Sequence, residues 1–247
     1  MRAVIVGAAG RMGLALAQLA PQAGVQVVGA IERAGHSAIG SDLGVLASLE
    51  PMGVVVSADL EAALSHAQVM IDFSAPSITA ANLQSAARAR VAALVGTTGL
   101  DAAIEPTIAE VAQLIPVLVT ANTSLGVTVL VELVRAAARA LPEEFSIEIS
   151  DVHHRHKVDA PSGTALALAK ATARDAGTIR FAIERTGDVV GTHQVHFEGP
   201  GERVILGHEA SERTVFARGA LKAARWLAEQ PVGRYQMADL IGIKSGI

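Results

Sequence analysis

A chain of 247 residues that is 51% hydrophobic and 18% charged can bury one large α/β core or two moderate ones, and its composition excludes a long disordered segment. A formal net charge of −4, with basic residues gathered at 153–157, gives no basis for nucleic-acid binding and suits a small acidic ligand. Cysteine is absent and aromatic residues make up 3%, which removes disulfides, thiol nucleophiles, Cys-ligated metals and base-stacking platforms.

The chain opens directly into an apolar run, Ala3 to Val6, without the features of a signal peptide, and its apolar runs are too short to span a bilayer. A soluble cytoplasmic protein with no membrane partner is expected. The first strand enters Gly7-Ala8-Ala9-Gly10-Arg11-Met12-Gly13, followed by a helix carrying Leu14, Leu16, Leu19 and Ala20. Strand, glycine turn and helix form the start of a dinucleotide-binding βαβ unit, in which glycine lets phosphate approach the N–H groups at the helix start. The spacing is G-x-x-G-x-x-G rather than G-x-G-x-x-G, and a structural glycine turn gives a similar pattern. The second strand, 25–31, ends at Glu32, 19 residues after Gly13, where an acid contacting the ribose hydroxyls is expected. Arg33 follows, able to stack on adenine or pair with a 2′-phosphate, so the pair fits NADH and NADPH alike; the alternative is an exposed polar pair at a strand end.

Residues 35–52 read as a loop bearing Asp42, to which the sequence assigns no role. A strand at 54–56, a helix near 59–66 and a buried strand at 69–73 follow. Phe73 and Ser74 then stand either near the ring end of a cofactor or as a core side chain and a helix cap. A helix at 78–89 leads to strand 92–95 and Gly96-Thr97-Thr98-Gly99; a helix at 101–114 leads to strand 116–119 and Thr120-Ala121-Asn122-Thr123-Ser124. This alternation predicts a doubly wound parallel sheet over 1–124, with small polar strand ends converging on one edge.

A helix over 125–141 with Leu130, Leu133, Val134 and Ala137 on one face then leaves the sheet. An alternating strand at 146–150 delivers Asp151-Val152-His153-His154-Arg155-His156-Lys157-Val158-Asp159-Ala160-Pro161-Ser162-Gly163-Thr164, the segment densest in chemistry. Ser162 is positioned to cap a helix whose Ala165, Leu166, Leu168 and Ala169 point inward. Segments 192–197 and 203–208 alternate in the β period and predict a second, more antiparallel sheet. Residues 125–213 thus form a second α+β unit, and a closing helix over 214–229, with Trp226 and Leu227, returns to the first together with the remainder to 247.

Three readings of 153–157 compete. A metal site from His153, His154 and His156 is opposed by the charges of Arg155 and Lys157, so no metal is expected. A solvated basic turn is the common fate of such a run, but the Ser-Gly-Thr helix start beside it favours an anion site. His156 and Arg155 fit a structural role.

With the glycine loop and the His-His-Arg-His-Lys run together, the chain resembles the 4-hydroxy-tetrahydrodipicolinate (dihydrodipicolinate) reductase family along essentially its whole length. The resemblance is carried by Gly10 to Gly13, Glu32-Arg33, Asp72-Phe73-Ser74, Gly96 to Gly99, Ala121 to Ser124, His153 to Thr164, Phe216 to Ala220 and Tyr235-Gln236-Met237. It implies a Rossmann-like cofactor domain, a mixed-sheet domain that binds substrate and forms a homotetramer, domain closure on binding, and NAD(P)H-dependent reduction of a small cyclic dicarboxylate in lysine and diaminopimelate biosynthesis. By resemblance, His153 is the general acid, Lys157 its catalytic partner, and His154, Gly163 and Thr164 bind substrate. Gly7, Ala8, Ala9, Gly10, Arg11, Met12, Glu32, Arg33, Gly96, Thr97, Thr98, Thr120, Ala121, Asn122 and Thr123 match the cofactor contacts. Thr123 departs from the family pattern, in which Phe is common.

The residues fit that chemistry: Lys157 supplies charge, a helix start at Gly163 and Thr164 offers N–H groups to a carboxylate, and His153 titrates in the range needed to deliver a proton near neutral pH. An aspartate dehydrogenase on a similar plan, and a catalytically silent dinucleotide sensor, remain as alternatives. Glu32 disfavours a 2′-phosphate and Arg33 welcomes one, so the choice between NADH and NADPH stays open.

Overall fold

Short β-branched runs alternating with Ala- and Leu-rich segments sort this chain into strands and covering helices. The computed structural model describes residues 1–243. Its elements are β1 (Arg2–Val6), α1 (Arg11–Leu19), β2 (Gln26–Ile31), α2 (Leu43–Leu46), β3 (Val56–Ser57), α3 (Leu60–Leu64), β4 (Val69–Asp72), α4 (Pro76–Ala89), β5 (Ala92–Val95), α5 (Glu105–Val111) and β6 (Pro116–Val119). Then come α6 (Leu125–Ala140), β7 (Ser146–His153), α7 (Gly163–Ala171), β8 (Ile179–Arg185), β9 (Gly191–Gly199), β10 (Glu202–Ala210), α8 (Thr214–Leu227), β11 (Gly233–Tyr235) and α9 (Met237–Leu240). The described residues fall into two compact units, Met1–Thr123 with Phe216–Leu240, and Ser124–Val215 with residues 241–243, so the end of the described chain joins the second unit rather than the first. No helix among them is long and apolar enough to cross a membrane.

The first unit holds a seven-stranded sheet in the order β11-β6-β5-β4-β1-β2-β3, every pair parallel. Strands β4 and β5 are buried throughout, as expected where helices cover both faces. Successive connections move outward from β1 to β3 and then jump back to β4, so the order reverses between β1 and β4. Ligands of open parallel sheets bind at such a reversal, beyond the carboxyl ends of the strands. Here that position belongs to the loops after Val6 and Asp72.

The second unit is a four-stranded mixed sheet, β10-β9-β7-β8, in which β7 and β8 are parallel and β9 runs against both β7 and β10. Alternation along β7 turns Ile147, Ile149, Asp151 and His153 to the buried face. The first two join Val195, Phe197, Leu130, Val134 and Leu168 in the core. The same face becomes polar at the strand's end, where the site lies.

Several elements differ from the sequence expectations. The strand at 54–56 shrinks to β3, with Val55 57% exposed and joined to Asp42 by a single antiparallel bridge. Asp42 gains a clear role, accepting the N–H groups of Gly44, Val45 and Met52 and starting α2 inside the supposed loop. The helix at 101–114 is a 3₁₀ turn, Ala102–Ile104, followed by α5, with Pro106 in its first turn. On α6 the buried stripe runs through Val127, Leu130, Val134 and Ala138, so Leu133 lies off it and is 48% exposed. On α7 the inward positions are Ala165, Leu168 and Ala171, which leaves Leu166 52% exposed rather than inward. Strands β8 and β11 were not anticipated.

Candidate active site

The glycine loop is shaped by backbone crowding. Gly7 adopts φ +77°, and a Cβ there would stand 2.6 Å from the Phe73 carbonyl oxygen. A Cβ on Gly13 would overlap the carbonyls of Gly7 and Ala8. Gly7 and Ala8 donate their N–H groups to the Ile31 carbonyl, which ties the loop to the end of β2. Gly10 caps α1 without a side-chain acceptor. First-turn N–H groups of a helix have no intrahelical acceptor, so α1 presents a start suited to phosphate. Glu32 Oε1 accepts the Ala9 N–H at 3.0 Å, bringing the acid at the end of β2 against the loop, and Arg33 beside it is exposed. Arg11 is also exposed and Met12 half-buried. Loop, helix start and acid therefore fit the diphosphate and ribose of a dinucleotide.

At the ends of β4 and β5, Asp72 is fully buried and gathers the neighbouring turns. Its Oδ1 accepts the Ser74 N–H at 2.8 Å, the Ser74 hydroxyl at 2.5 Å and the Thr97 hydroxyl at 3.3 Å, while Oδ2 accepts from Asn82 Nδ2 at 2.9 Å. Ser74 is thus ordered by Asp72 and does not cap α4, whose N-cap is Ala75. Gly96 leaves room for the Phe73 ring, which a Cβ would overlap. A cleft of about 420 Å³ opens beyond these strand ends, lined by Thr97, Thr98, Thr120, Ala121 and Arg234 among others. The Thr120 hydroxyl holds the turn through the Asn122 carbonyl and N–H. Thr123 turns inward, its hydroxyl donating to the Phe216 carbonyl at 2.7 Å.

In the second unit the buried face of β7 ends in a charged cluster. Asp151 Oδ1 lies 2.9 Å from His153 Nδ1 and 3.3 Å from His193 Nε2. Oδ2 accepts the Ser162 N–H at 2.9 Å and an Arg185 Nη2–H at 3.0 Å. The register explains the gathering: Asp151 pairs with His193 of β9, and His153 pairs with Arg185 of β8. Arg185 also reaches the carbonyls of Asp151 and Asp159, closing the loop back on the strand. The Ser162 hydroxyl accepts the Ala165 N–H, capping α7 as the sequence suggested, and lies 3.2 Å from His193 Nε2.

Burial pushes the Asp151 carboxyl up, but the Ser162 hydrogen bonds, Arg185 and His153 outweigh it and leave the group below its ordinary range. His153 is lowered, first by burial; Lys157 and Arg185 add to the effect, and Asp151 and Asp159 oppose it. Lys157 Nζ sits 2.8 Å from the exposed Asp159 carboxylate, a pairing that a competing carboxylate can replace at little cost. The Arg155 N–H bonds to the Gly187 carbonyl, and the His154 and His156 rings stand 6.3 Å apart. Gly163 is exposed at the start of α7, followed by half-buried Thr164.

Asp151, His153 and His193 offer ligand atoms within 4.8 Å of one another, a set of the type that holds divalent cations. In this arrangement Arg185 already neutralises the carboxylate, and a hydroxyl stands against His193 Nε2. The three groups thus form a charge-paired cluster around Asp151.

His193 provides a pH test. Burial, then the nearby His153, lowers its pKa from 6.5 to about 4. Because the folded value lies below the unfolded one, its stabilising contribution is present above pH 6.5 and is lost as pH falls toward 4, amounting to about 3 kcal/mol. His153, lowered as well, acts in the same direction. Urea titrations across that range should show a stability loss in the wild type that is clearly smaller in His193→Gln; equal slopes would show that His193 is not the group responsible.

The structure brings His153, Lys157 and the start of α7 together in one unit, and Gly7, Ala9, Gly10 and Glu32 together in the other. Sequence reasoning missed Asp151, Arg185 and His193. Continued past residue 150, the alternation of the expected strand puts Asp151 on the face of His153, and that of 192–197 puts His193 in phase with Val195 and Phe197; Arg185 lay in a strand that went unrecognised.

Comparisons with known proteins cover both halves of the chain. The family model described as dihydrodipicolinate reductase, N-terminus, matches residues 1–123, and the one described as dihydrodipicolinate reductase, C-terminus, matches 126–241. The 4-hydroxy-tetrahydrodipicolinate reductase of Anaeromyxobacter dehalogenans strain 2CP-1 is 43% identical over 99% of both chains. That of Halorhodospira halophila is 44% identical over 97% of this chain and 98% of its own. Among solved structures, a dipicolinate-bound dihydrodipicolinate reductase from Paenisporosarcina sp. TG-14 superposes with a TM-score of 0.82 at 22% identity, covering 98% of this chain and 99% of that one, which establishes the shared fold. Sequence identity along the full length, carried by both halves, shows that this chain belongs to the dihydrodipicolinate reductase family.

Proposed function

We propose that the protein reduces 4-hydroxy-tetrahydrodipicolinate to tetrahydrodipicolinate, in lysine and diaminopimelate biosynthesis, using NADH or NADPH. The observation that carries this reading is the buried His153 imidazole at the end of β7, beside an Asp151 that binds the capped start of α7, in a chain 43% identical to a reductase so named. The reaction consumes one hydride and one proton and releases water. A reduced nicotinamide, when bound, supplies the hydride.

The chain's own residues do the rest. Gly7, Ala8, Ala9, Gly10, Arg11 and Met12 receive the diphosphate, and Glu32 and Arg33 receive the adenosine ribose. Gly96, Thr97, Thr98, Thr120, Ala121 and Asn122 border the nicotinamide end, joined by the backbone of Thr123, whose side chain is engaged inward. Lys157 exchanges Asp159 for a substrate carboxylate and assists the proton transfer. Gly163 and Thr164 hold the second carboxylate at the start of α7, an interaction contributing roughly 0.3–1 kcal/mol from the helix dipole. His154 orients the ring, and His153 delivers the proton. This assigns the cofactor to the first unit and the substrate to the second.

The assembly inferred is a cytoplasmic homotetramer formed through the mixed sheet, supported by the family resemblance and by Ile205, 52% exposed on β10. The test of function is oxidation of NADH and of NADPH, measured side by side with freshly generated 4-hydroxy-tetrahydrodipicolinate. Turnover is expected with at least one cofactor. Turnover with L-aspartate instead would favour an aspartate dehydrogenase, and cofactor binding without any turnover would favour a sensor.

A further inference from the structure

We propose that Asp151 is a positioning residue for this reaction: its carboxylate holds the His153 ring with Nδ1 inward, so that Nε2 carries the transferable proton. The proposal rests on the reading of His153 as the proton donor. Asp151 is completely buried; the Ser162 N–H and the Arg185 guanidinium donate to one oxygen, and the imidazoles of His153 and His193 stand 2.9 and 3.3 Å from the other. The bonds to Oδ2 come from the cap of α7 and from β8, so two separate elements fix the carboxylate before substrate arrives. Its remaining oxygen then faces His153 Nδ1. The two atoms are within hydrogen-bonding distance, but no hydrogen bond is formed between them here. Catalytic hydrogen bonds commonly straighten only when substrate is bound.

The opposite edge of the ring supports the same orientation. His153 Nε2 faces Gly191, where a Cβ would stand only 3.0 Å away, so the glycine keeps space at the atom that is to release its proton. In the transfer, the Nε2–H bond of the imidazolium breaks as the proton passes to the substrate, the electron pair stays on Nε2, and Nδ1–H remains directed at Asp151. The carboxylate takes up no proton, and solvent restores the imidazolium afterwards. Among the described residues, the charged and titratable groups facing His153 are Asp151 from β7, Arg185 from β8, His193 from β9, and Lys157 and Asp159 from the connecting loop. Without the Asp151 charge, Arg185 and Lys157 dominate and disfavour the imidazolium.

The experiment compares wild type with Asp151→Asn, an isosteric neutral variant, by steady-state kinetics over pH and by nitrogen NMR of labelled histidine. Expected for Asp151→Asn are a kcat lower by about 10²-fold or more, an unchanged KM for cofactor, a high-pH limb of kcat displaced to lower pH, and loss of the single Nδ1–H tautomer of neutral His153. An unchanged tautomer and titration of His153 would overturn the proposal, as would an unchanged kcat per folded site. The NMR reading needs no substrate, so it decides the Asp151–His153 linkage even if His153→Gln shows that His153 is not the proton donor. Gly191→Ala leaves Asp151 intact and presses on Nε2 from the other side, which serves if Asp151→Asn does not fold. A kcat at least about tenfold lower with unchanged cofactor KM is then expected, and wild-type kcat would overturn the orientation.

Discussion

Replacing His153 by Gln is expected to lower kcat by about 10²–10⁴-fold while the dissociation constant for NADH stays within about twofold. Gln approximates the size and polarity of the imidazole but cannot release a proton near neutral pH. The split between kcat and cofactor affinity follows from placement. His153 ends a strand of the mixed sheet, whereas the groups proposed to hold the cofactor belong to the parallel sheet. Steady-state kinetics with calorimetry of NADH binding checks both halves. A variant within about threefold of wild-type kcat would remove His153 from the chemistry.

Asp72→Ala is expected to destabilise the first unit by about 3–5 kcal/mol, a fall in Tm of roughly 10–15 °C. The Ser74 hydroxyl and N–H, the Thr97 hydroxyl and the Asn82 amide all donate to this one carboxylate. Alanine strips them of their acceptor where Asp72, Asn82 and Thr97 are buried. The damage should extend to cofactor affinity, because Ser74 and Thr97 stand at strand ends beside the reversal in sheet order. Asp72→Asn, which keeps one acceptor oxygen, should lose less. Calorimetric melting of the two variants orders them, and an Asp72→Ala protein as stable as wild type would mean that the network is dispensable.

Much of the first unit was legible because its signals are local. A buried strand, a glycine turn, an amphipathic helix and an acid at the next strand end all lie within Ala3 to Glu32, and the structure ties those parts together through Ile31 and Ala9. What escaped reading was either too short for a period to show or depended on distant pairing. Strand β11 has three residues and α2 has four, the latter set by the hydrogen bonds of Asp42 rather than by an apolar stripe. Strand β8 does alternate, with Ile179, Phe181 and Ile183, but it follows a 3₁₀ turn and lacks a hairpin signal. The His-His-Arg-His-Lys run announced a site by density alone. Its organisation around Asp151 could not be read, because Arg185 and His193 arrive only through the register of β8 and β9 against β7. Leu133 and Leu166 illustrate a smaller difficulty: in helices this rich in apolar residues, several faces satisfy the spacing, and packing selects among them.

The turnover experiment becomes the most direct test of the account when run with cofactor deuterated at the transferable position of the nicotinamide and followed by mass spectrometry of the product. Reduction by hydride transfer predicts tetrahydrodipicolinate carrying one deuterium from the cofactor, with oxidised cofactor formed in equal amount. Cofactor oxidation that leaves the product unlabelled, or no reaction with either NADH or NADPH, would contradict it.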